Sequence, residues 1–320
     1  MMHEERQQHK LHGADSFLQY RKEQEKVHLD RIKNSKNPLD SILTVEINTT
    51  ELCNRKCVFC PRFSSKVYPN RNLNMTVETA SKIATHLADA EYGGRISFSG
   101  FSENLLNKKF PEIIQAMKSK LPDNLLECNT NGDKLTPLVV MDLYNSGLNM
   151  LYINLYDGPE QAGGFVSMMN EAGVSSKRYS LRAHYSLKDP ASMGADIDYG
   201  LKLNNRSGVI DWIGFEDEDI DKLKGTPCYY PFYKLFIDWN GDALFCSNDW
   251  GKERIIGNLA KQSLYDVWMS DDMKGIRLRL KEGDRSQSPC NKCSVKGTLF
   301  GKPSFDLINK HYESSNNGSI

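Results

Sequence analysis

Three cysteines in one short loop constrain this chain more than any other feature of its sequence. They stand in the stretch Glu51-Leu-Cys-Asn-Arg-Lys-Cys-Val-Phe-Cys-Pro-Arg62, with the spacing Cys53-x3-Cys57-x2-Cys60. Soft metals need several deprotonated sulfurs converging on a small volume, and a short loop brings three of them together. An iron–sulfur cubane bound by three thiolates keeps one iron open to a reactant. The loop therefore predicts a metal centre with an open coordination position.

Zinc, a disulfide framework and a cluster of core thiols each fit this loop less well. A structural zinc site closes with four ligands, and no fourth Cys or His follows within the loop. A disulfide framework is disfavoured because the chain of 320 residues has only 8 Cys and begins without an apolar signal segment. Buried core thiols are disfavoured because Asn54, Arg55 and Lys56 lie between the cysteines.

The loop, with Phe59 just before its last cysteine, resembles the signature of the radical S-adenosylmethionine (radical SAM) superfamily. In that family the open iron binds the amino and carboxylate groups of SAM. Reductive cleavage of SAM then yields a 5′-deoxyadenosyl radical, which removes a hydrogen atom from the substrate. The resemblance implies a SAM-binding 4Fe-4S cluster on Cys53, Cys57 and Cys60, with Phe59 beside the cofactor.

A second stretch extends the resemblance. The strand-like run Arg95-Ile-Ser-Phe-Ser99 ends in Gly100-Phe-Ser-Glu-Asn, which is similar to the family's Gly-Gly-Glu segment in its Gly-Phe-Gly-Glu-Pro variant. Ser102 and Asn104 replace a glycine and a proline of that variant. The resemblance implies contacts from Gly100, Ser102 and Glu103 to the amino group of SAM.

Three further strand ends fit the same family pattern. Leu125-Leu-Glu-Cys-Asn-Thr-Asn-Gly132 resembles the third strand of the family, which makes Thr130 and Asn131 cofactor candidates. Asn154 stands where the fourth strand usually has a Ser that contacts the SAM carboxylate, and an Asn can still donate a hydrogen bond. Arg182 stands where relatives place an Arg for the same carboxylate, to which its bidentate fork is suited.

The alternation of short apolar runs with helix-like stretches predicts an α/β fold. Apolar runs near 43–47, 96–98, 125–128, 151–155, 181–184 and 210–213 alternate with helix-like stretches at 77–90, 111–121, 137–146, 159–172 and 191–203. Such alternation predicts parallel strands with crossover helices. Periodicity leaves a doubly wound sheet open, whereas the family resemblance implies a partial (β/α)6 TIM-like barrel. Reactive residues then lie at the carboxyl ends of its strands.

The C-terminal third carries a second set of cysteines. Cys228-x12-Gly241-x4-Cys246 precedes a helix-like stretch, and Cys290-Asn-Lys-Cys293 follows it. Asn240-Gly241 predicts a two-residue hairpin turn that returns the chain towards Cys228. Four thiolates from a hairpin and a Cys-x2-Cys loop could hold a complete iron–sulfur cluster or a closed zinc site. The spacing alone leaves both open.

This region resembles the opening of a SPASM domain, through the cysteine spacing together with Ile256-Gly-Asn-Leu259 and Ser263-Leu-Tyr-Asp-Val-Trp268. Because no cysteine follows Cys293, it resembles the truncated "twitch" form. The resemblance implies one auxiliary 4Fe-4S cluster on Cys228, Cys246, Cys290 and Cys293. We predict an N-terminal helical extension at 1–40, a radical SAM barrel at 41–220, a twitch domain with a β-hairpin and a helix at 221–300, and a C-terminal tail at 301–320.

Composition limits the partners. Lys plus Arg equals Asp plus Glu at 41 each, and nucleic-acid binders usually carry a basic face. No run of apolar residues is long enough to span a membrane. We expect a cytoplasmic enzyme that acts on a small-molecule substrate, with a reducing partner such as a flavodoxin or ferredoxin. Cys128, alone within a strand, is expected to be a packed core residue.

The predicted clusters favour an oxidation. A radical formed at an alcohol carbon becomes a ketone by losing one proton and one electron, and an auxiliary cluster is a suitable electron acceptor. We expect oxidation of an alcohol of a sugar, aminocyclitol or nucleotide sugar, as in radical SAM enzymes with a twitch domain. Maturation of a ribosomal peptide, a redox-neutral epimerase or decarboxylase, and an iron–sulfur electron carrier are alternatives. The catalytic candidates at strand ends are Tyr156, His184 and Glu216.

Overall fold

One eight-stranded sheet organises the chain. The computed structural model describes residues 26–27, 29–184, 204–212 and 220–317. The strand order is β5-β4-β3-β2-β1-β6-β7-β8; β1 to β6 are parallel, and β7 and β8 are antiparallel. The strands are β1 (Thr44–Ile47), β2 (Arg95–Phe98), β3 (Leu126–Thr130), β4 (Met150–Leu155), β5 (Tyr179–Ala183), β6 (Lys234–Ile237), β7 (Asp242–Leu244) and β8 (Ile255–Asn258).

Helices follow the strands as the periodicity predicts. Thr76 and Thr136 cap two of them, accepting hydrogen bonds from the backbone N–H of Thr79 and Val139. The α-helices are α1 (Val77–Asp89), α2 (Phe110–Lys120), α3 (Pro137–Asn145), α4 (Gln161–Glu171), α5 (Tyr230–Tyr233), α6 (Leu264–Trp268), α7 (Asp271–Lys281) and α8 (Lys302–Asn317). Short 3-10 helices span Pro38–Ser41, Pro61–Phe63, Asn104–Leu106 and Cys290–Lys292.

The two faces of the sheet have opposite chemistry. Successive side chains of a strand point to opposite faces. In β1, Val45 and Ile47 are fully buried in the apolar core that α1 and α2 share, whereas Glu46 lines an interior cavity. The same alternation places Ser97 of β2 and Glu127 of β3 on the cavity side. The described helices after β1 to β4 thus cover one face, and the other face encloses a cavity, as in a partial barrel. The predicted α/β fold class is confirmed.

The prediction of a strand at 210–213 is wrong, because residues 210–212 form no strand. Residue 213 lies outside the described part. The parallel strand beyond β1 is instead β6, whose Lys234 pairs with Thr44 and whose Ile237 pairs with Ile47. An apolar run cannot by itself distinguish a strand from a packed connection. The sheet therefore continues without a break from the predicted barrel into the predicted twitch domain.

The turn between β6 and β7 also differs from the prediction. Asp238 donates its backbone N–H to the carbonyl of Asp242 at 2.8 Å, so that three residues, 239–241, form the loop. Gly241 has a φ of +87°, which is the left-handed conformation that a three-residue hairpin needs at its last position.

Residues 302–317 form helix α8 instead of a tail. Its residues Ile308 and Tyr312 are buried, and Tyr312 accepts a hydrogen bond of 2.9 Å from the buried guanidinium of Arg277. Because these two apolar residues stand among polar ones, the helical pattern was not recognised from the sequence. The helix predicted at 191–203, and most of the N-terminal helical extension predicted at 1–40, lie outside the described residues. Within the described part, no helix has the length and apolarity to cross a membrane.

Candidate active site

The loop after β1 brings three thiols to the mouth of the interior cavity. Cys53, Cys57 and Cys60 all line this cavity, whose volume is about 590 Å³. Asn70 holds the start of the loop, since its side chain accepts from the N–H of Cys53 and donates to its carbonyl, both at 2.9 Å. Buried Arg62 donates to Asn70 at 2.8 Å.

The environment of these thiols suits a metal cluster. Burial, with a smaller contribution from the nearby thiols, raises the pKa of Cys53 to about 11 and that of Cys57 to about 12. Burial also raises the pKa of Cys60. Adjacent buried thiols are poor nucleophiles, but a bound metal deprotonates them and neutralises their charge. The donor set therefore fits an iron–sulfur cluster.

The segment after β2 lines the same cavity. Gly100 has a φ of +121°, and a Cβ atom there would lie 2.6 Å from the ring of Phe236, so no larger residue fits. Ser102 donates a 2.5 Å hydrogen bond to Asn48. Two of the predicted cofactor residues are thereby fixed at the cavity wall.

Glu103 ties the ends of β2 and β3 together. Its carboxylate accepts from the hydroxyl of Thr130 and the N–H of Asn131, both at 2.8 Å, and from the N–H of Leu105 at 3.2 Å. Burial nevertheless raises the pKa of Glu103 to about 7, although these donors oppose the shift. The carboxylate thus organises the predicted SAM-contacting backbone.

The ends of β4 and β5 complete this group. Asn154 donates to the carbonyl of Thr130 at 3.0 Å, and its oxygen lies 2.9 Å from Nε2 of His184. Arg182 donates to Asn129 at 3.3 Å. All of these residues line the cavity. The structure therefore brings together all the cofactor residues predicted from sequence.

Two of the three catalytic candidates also lie here. Tyr156 and His184 stack at 5.3 Å between ring centroids, and Phe59 stacks on both rings, at 6.2 and 6.3 Å. Burial, with the nearby Arg182 and Arg206 charges, lowers the pKa of His184 well below its usual value, so that the imidazole is neutral. Its Nδ1 has no hydrogen-bond partner in the described part of the chain. Glu216 lies outside the described residues.

Sequence reasoning missed a set of charged residues inside the barrel. Glu46 pairs with Lys234, and Arg95 pairs with Glu127 at 3.5 Å. All four line the cavity. Arg95, Glu127 and Lys234 lie at the amino ends of β2, β3 and β6, and Glu46 is the third residue of β1. The signal was present in the strands, because a charged residue at alternate positions of an apolar strand indicates a polar interior.

The second set of cysteines forms a separate group. Cys228, Cys246, Cys290 and Cys293 line one small cavity. The buried guanidinium of Arg285 closes the loop that follows, donating to the carbonyls of Val295 and Lys296, each at 2.7 Å. Cys293 is buried and the other three cysteines are half-buried. Burial raises the pKa of Cys228 to about 11.

The four thiols of this group line one cavity, and four thiolates are the donor set of a 4Fe-4S cluster as well as of a closed zinc site. Within the described ranges, no group of three Cys, His, Asp or Glu side chains forms a ready-made site for a single metal ion.

Comparison with protein families identifies the chain. Residues 47–189 match the model of the radical SAM superfamily. The chain therefore contains a radical SAM domain. Residues 228–294 match SPASM, an iron–sulfur cluster-binding domain. As a radical SAM enzyme with this domain, the protein uses S-adenosylmethionine and two 4Fe-4S clusters.

Individual relatives span almost the same architecture. This radical SAM protein is 25% identical over 262 residues to the S-adenosyl-L-methionine-dependent 2-deoxy-scyllo-inosamine dehydrogenase of Niallia circulans, a match that covers 81% of this chain and 95% of the relative. Its fold matches that of BtrN in complex with AdoMet and 2-DOIA, with a TM-score of 0.66 and 22% identity over 82% of this chain and 96% of that one. It also resembles anSMEcpe with bound AdoMet, with a TM-score of 0.50 and 11% identity over 86% and 99% of the two chains.

Proposed function

We propose that this protein is a radical SAM dehydrogenase that oxidises a secondary alcohol of a small polar metabolite, with an aminocyclitol or a sugar as the substrate class. The relative from Niallia circulans is named for such an activity on 2-deoxy-scyllo-inosamine. The observation that carries the proposal is the polar interior of the barrel, where Glu46, Ser99 and Glu127 line the cavity below the cysteine loop.

This interior is chemically suited to hydroxyl and amino groups. Carboxylates accept hydrogen bonds from both, and the cations Arg95 and Lys234 beside them donate to hydroxyl oxygens. Ser99 donates to Glu46 at 2.6 Å, which orients that carboxylate. A cavity of about 590 Å³ is in the range that holds a nucleoside-sized group and a small molecule.

The cofactor assignments are part of the proposal. Cys53, Cys57 and Cys60 hold the SAM-binding cluster, and Cys228, Cys246, Cys290 and Cys293 hold the auxiliary cluster. The side chains and backbone around SAM are those of Phe59, Gly100, Ser102, Glu103, Thr130, Asn131, Asn154 and Arg182, which meet at the cavity.

The chemistry divides between the cofactors and the chain. When bound, SAM and the first cluster supply a 5′-deoxyadenosyl radical, and the auxiliary cluster supplies a one-electron acceptor. The protein positions the alcohol between them and excludes water. Glu46 and Glu127 face the cavity and provide acceptors for the hydroxyl proton. An external flavodoxin or ferredoxin supplies the electron for SAM cleavage.

The test uses the full chain reconstituted anaerobically with iron and sulfide and incubated with SAM, a reductant and 2-deoxy-scyllo-inosamine. We expect about eight irons per chain, together with 5′-deoxyadenosine and a ketone product. Cys57→Ala abolishes both products, whereas Cys290→Ala keeps 5′-deoxyadenosine formation and loses the ketone. About four irons with one zinc, or a ketone formed by Cys290→Ala, would overturn the proposal.

A further inference from the structure

The substrate cavity and the second cysteine site share a thin wall. Tyr230 and Asn248 line both cavities. Arg206 lines the larger cavity, and the next residue, Ser207, lines the cavity of the four cysteines. A single layer of side chains therefore separates the substrate space from the second thiol site.

Asn248 in this wall directs donors at a cysteine sulfur. Its backbone N–H lies 3.4 Å from Sγ of Cys246, and its side-chain Nδ2 lies 3.9 Å from the same sulfur. Only 3% of Asn248 is exposed, so water does not compete for these groups. Two donors on one residue thus face one sulfur of the second site.

The loop around Asn248 is rigidly held. The fully buried carboxylate of Asp249 accepts from the N–H of Glu253 at 3.0 Å and from that of Arg254 at 2.9 Å. The N–H of Trp250 donates to the carbonyl of Asn248 at 2.9 Å. Because these bonds fix the backbone of the loop, the fold sets the direction in which the backbone N–H of Asn248 points towards Sγ of Cys246.

Hydrogen bonds to cluster-ligating sulfurs tune reduction potentials. A donor draws negative charge from the sulfur and favours the reduced form, which carries one more electron. We propose that Asn248 is a positioning residue that raises the reduction potential of the second site, so that this site takes up the electron from the substrate. The inference rests on the proposed function, because it assumes a cluster on Cys246 and its three partners.

Oxidation of the alcohol to a ketone requires one electron to cross the layer of side chains between the substrate cavity and the second cysteine site. The alcohol carbon first gives a hydrogen atom to the 5′-deoxyadenosyl radical, which becomes 5′-deoxyadenosine. The carbon radical then loses its hydroxyl proton to a cavity carboxylate or water. It also loses one electron to the auxiliary cluster, and the carbon–oxygen bond becomes a carbonyl. A lower potential at that cluster slows only this last electron transfer.

The decisive measurement is a potentiometric titration of both clusters in the reconstituted full chain, monitored by electron paramagnetic resonance. In Asn248→Ala we expect a more negative midpoint for the auxiliary cluster and an unchanged midpoint for the SAM-binding cluster. The ratio of 5′-deoxyadenosine to ketone should rise about threefold or more, because radicals form without being oxidised. Asn248→Asp keeps the shape and removes the amide donor, and it serves if the Ala variant loses the cluster.

The matched control is Asn291→Ala, which changes an exposed residue between Cys290 and Cys293. It should leave both midpoints and the product ratio unchanged. Unchanged midpoints in the Asn248 variants, with the auxiliary cluster present, would overturn this inference and leave the proposed function standing. The absence of a second redox centre in the unaltered protein would instead refute the proposed function.

Discussion

Arg55 and Asp133 form a two-pronged ion pair that fastens the cysteine loop to the end of β3. Nε of Arg55 lies 2.7 Å from Oδ2 of Asp133, and Nη2 lies 2.5 Å from Oδ1. The same guanidinium binds Asp157 after β4 through two further contacts of 2.7 Å. Arg55, which lies between the candidate ligands Cys53 and Cys57, is thus held by residues that follow β3 and β4.

Replacing Arg55 by Lys should weaken the first cluster site. Lysine keeps the charge but lacks the planar fork, so it cannot satisfy both carboxylates in this geometry. We expect roughly a tenfold loss in the rate of reductive SAM cleavage, with less iron retained during gel filtration, corresponding to about 1.4 kcal/mol. The exposed neighbour Lys56 offers the control, since Lys56→Ala should behave like the unaltered protein. Equal iron retention and SAM cleavage in Arg55→Lys would contradict a clamping role.

Gly297→Ala should disable the auxiliary site alone. A Cβ atom at Gly297 would lie 2.5 Å from Sγ of Cys228, so the thiol could not keep its place. We expect the iron content to fall from about eight to about four, with SAM cleavage retained. Gly225→Ala is a matched control, because Gly225 has a similar φ of +76° but open space around its Cβ position. Full iron content in Gly297→Ala would show that Cys228 does not bind the cluster.

Lys252 joins three parts of the chain through buried charges. It pairs with Glu51 before the cysteine loop and, at 2.5 Å, with Asp238 after β6, both carboxylates being almost fully buried. Lys252→Met leaves these carboxylates without their cation, which costs about 3–5 kcal/mol. Thermal unfolding should therefore begin roughly 10 °C lower.

The comparison for Lys252 is Lys281→Met, which removes a partly exposed pair with Glu313. Such a pair contributes at most about 1 kcal/mol. Equal melting temperatures for the two variants, measured by circular dichroism, would mean that the Lys252 network does not join these segments energetically.

Glu127→Gln tests the substrate side of the cavity. Glu127 is 1% exposed and lines the cavity beside Arg95. Losing a charged hydrogen-bond partner of the substrate costs about 1.5–3 kcal/mol, which corresponds to roughly a 10- to 100-fold loss in kcat/KM for ketone formation. SAM cleavage in the absence of substrate should continue at its original rate, which distinguishes lost recognition from misfolding. The surface variant Glu112→Gln on α2 should leave both rates unchanged.

Local patterns carried the prediction of the cysteine loops and of most helices and strands. The candidate ligands Cys53, Cys57 and Cys60 lie within one short loop, and Cys290 and Cys293 are separated by two residues, so these spacings are visible in the sequence. The cap of Thr76 and the apolar positions of α1 are likewise local. The error at 210–213 arose because a short apolar run serves equally well as a strand or as a packed connection.

The kind of metal chemistry and the α/β class were therefore readable from the order of the amino acids, and the strand-end candidates for SAM binding followed from the family resemblance. The folded chain was needed to reveal that Lys234 of β6 faces Glu46 of β1, and that Asn248 stands between the substrate cavity and the second cysteine site. The physical reason is that these contacts depend on strand pairing and loop packing between distant segments. No local periodicity records which residues such pairing brings face to face.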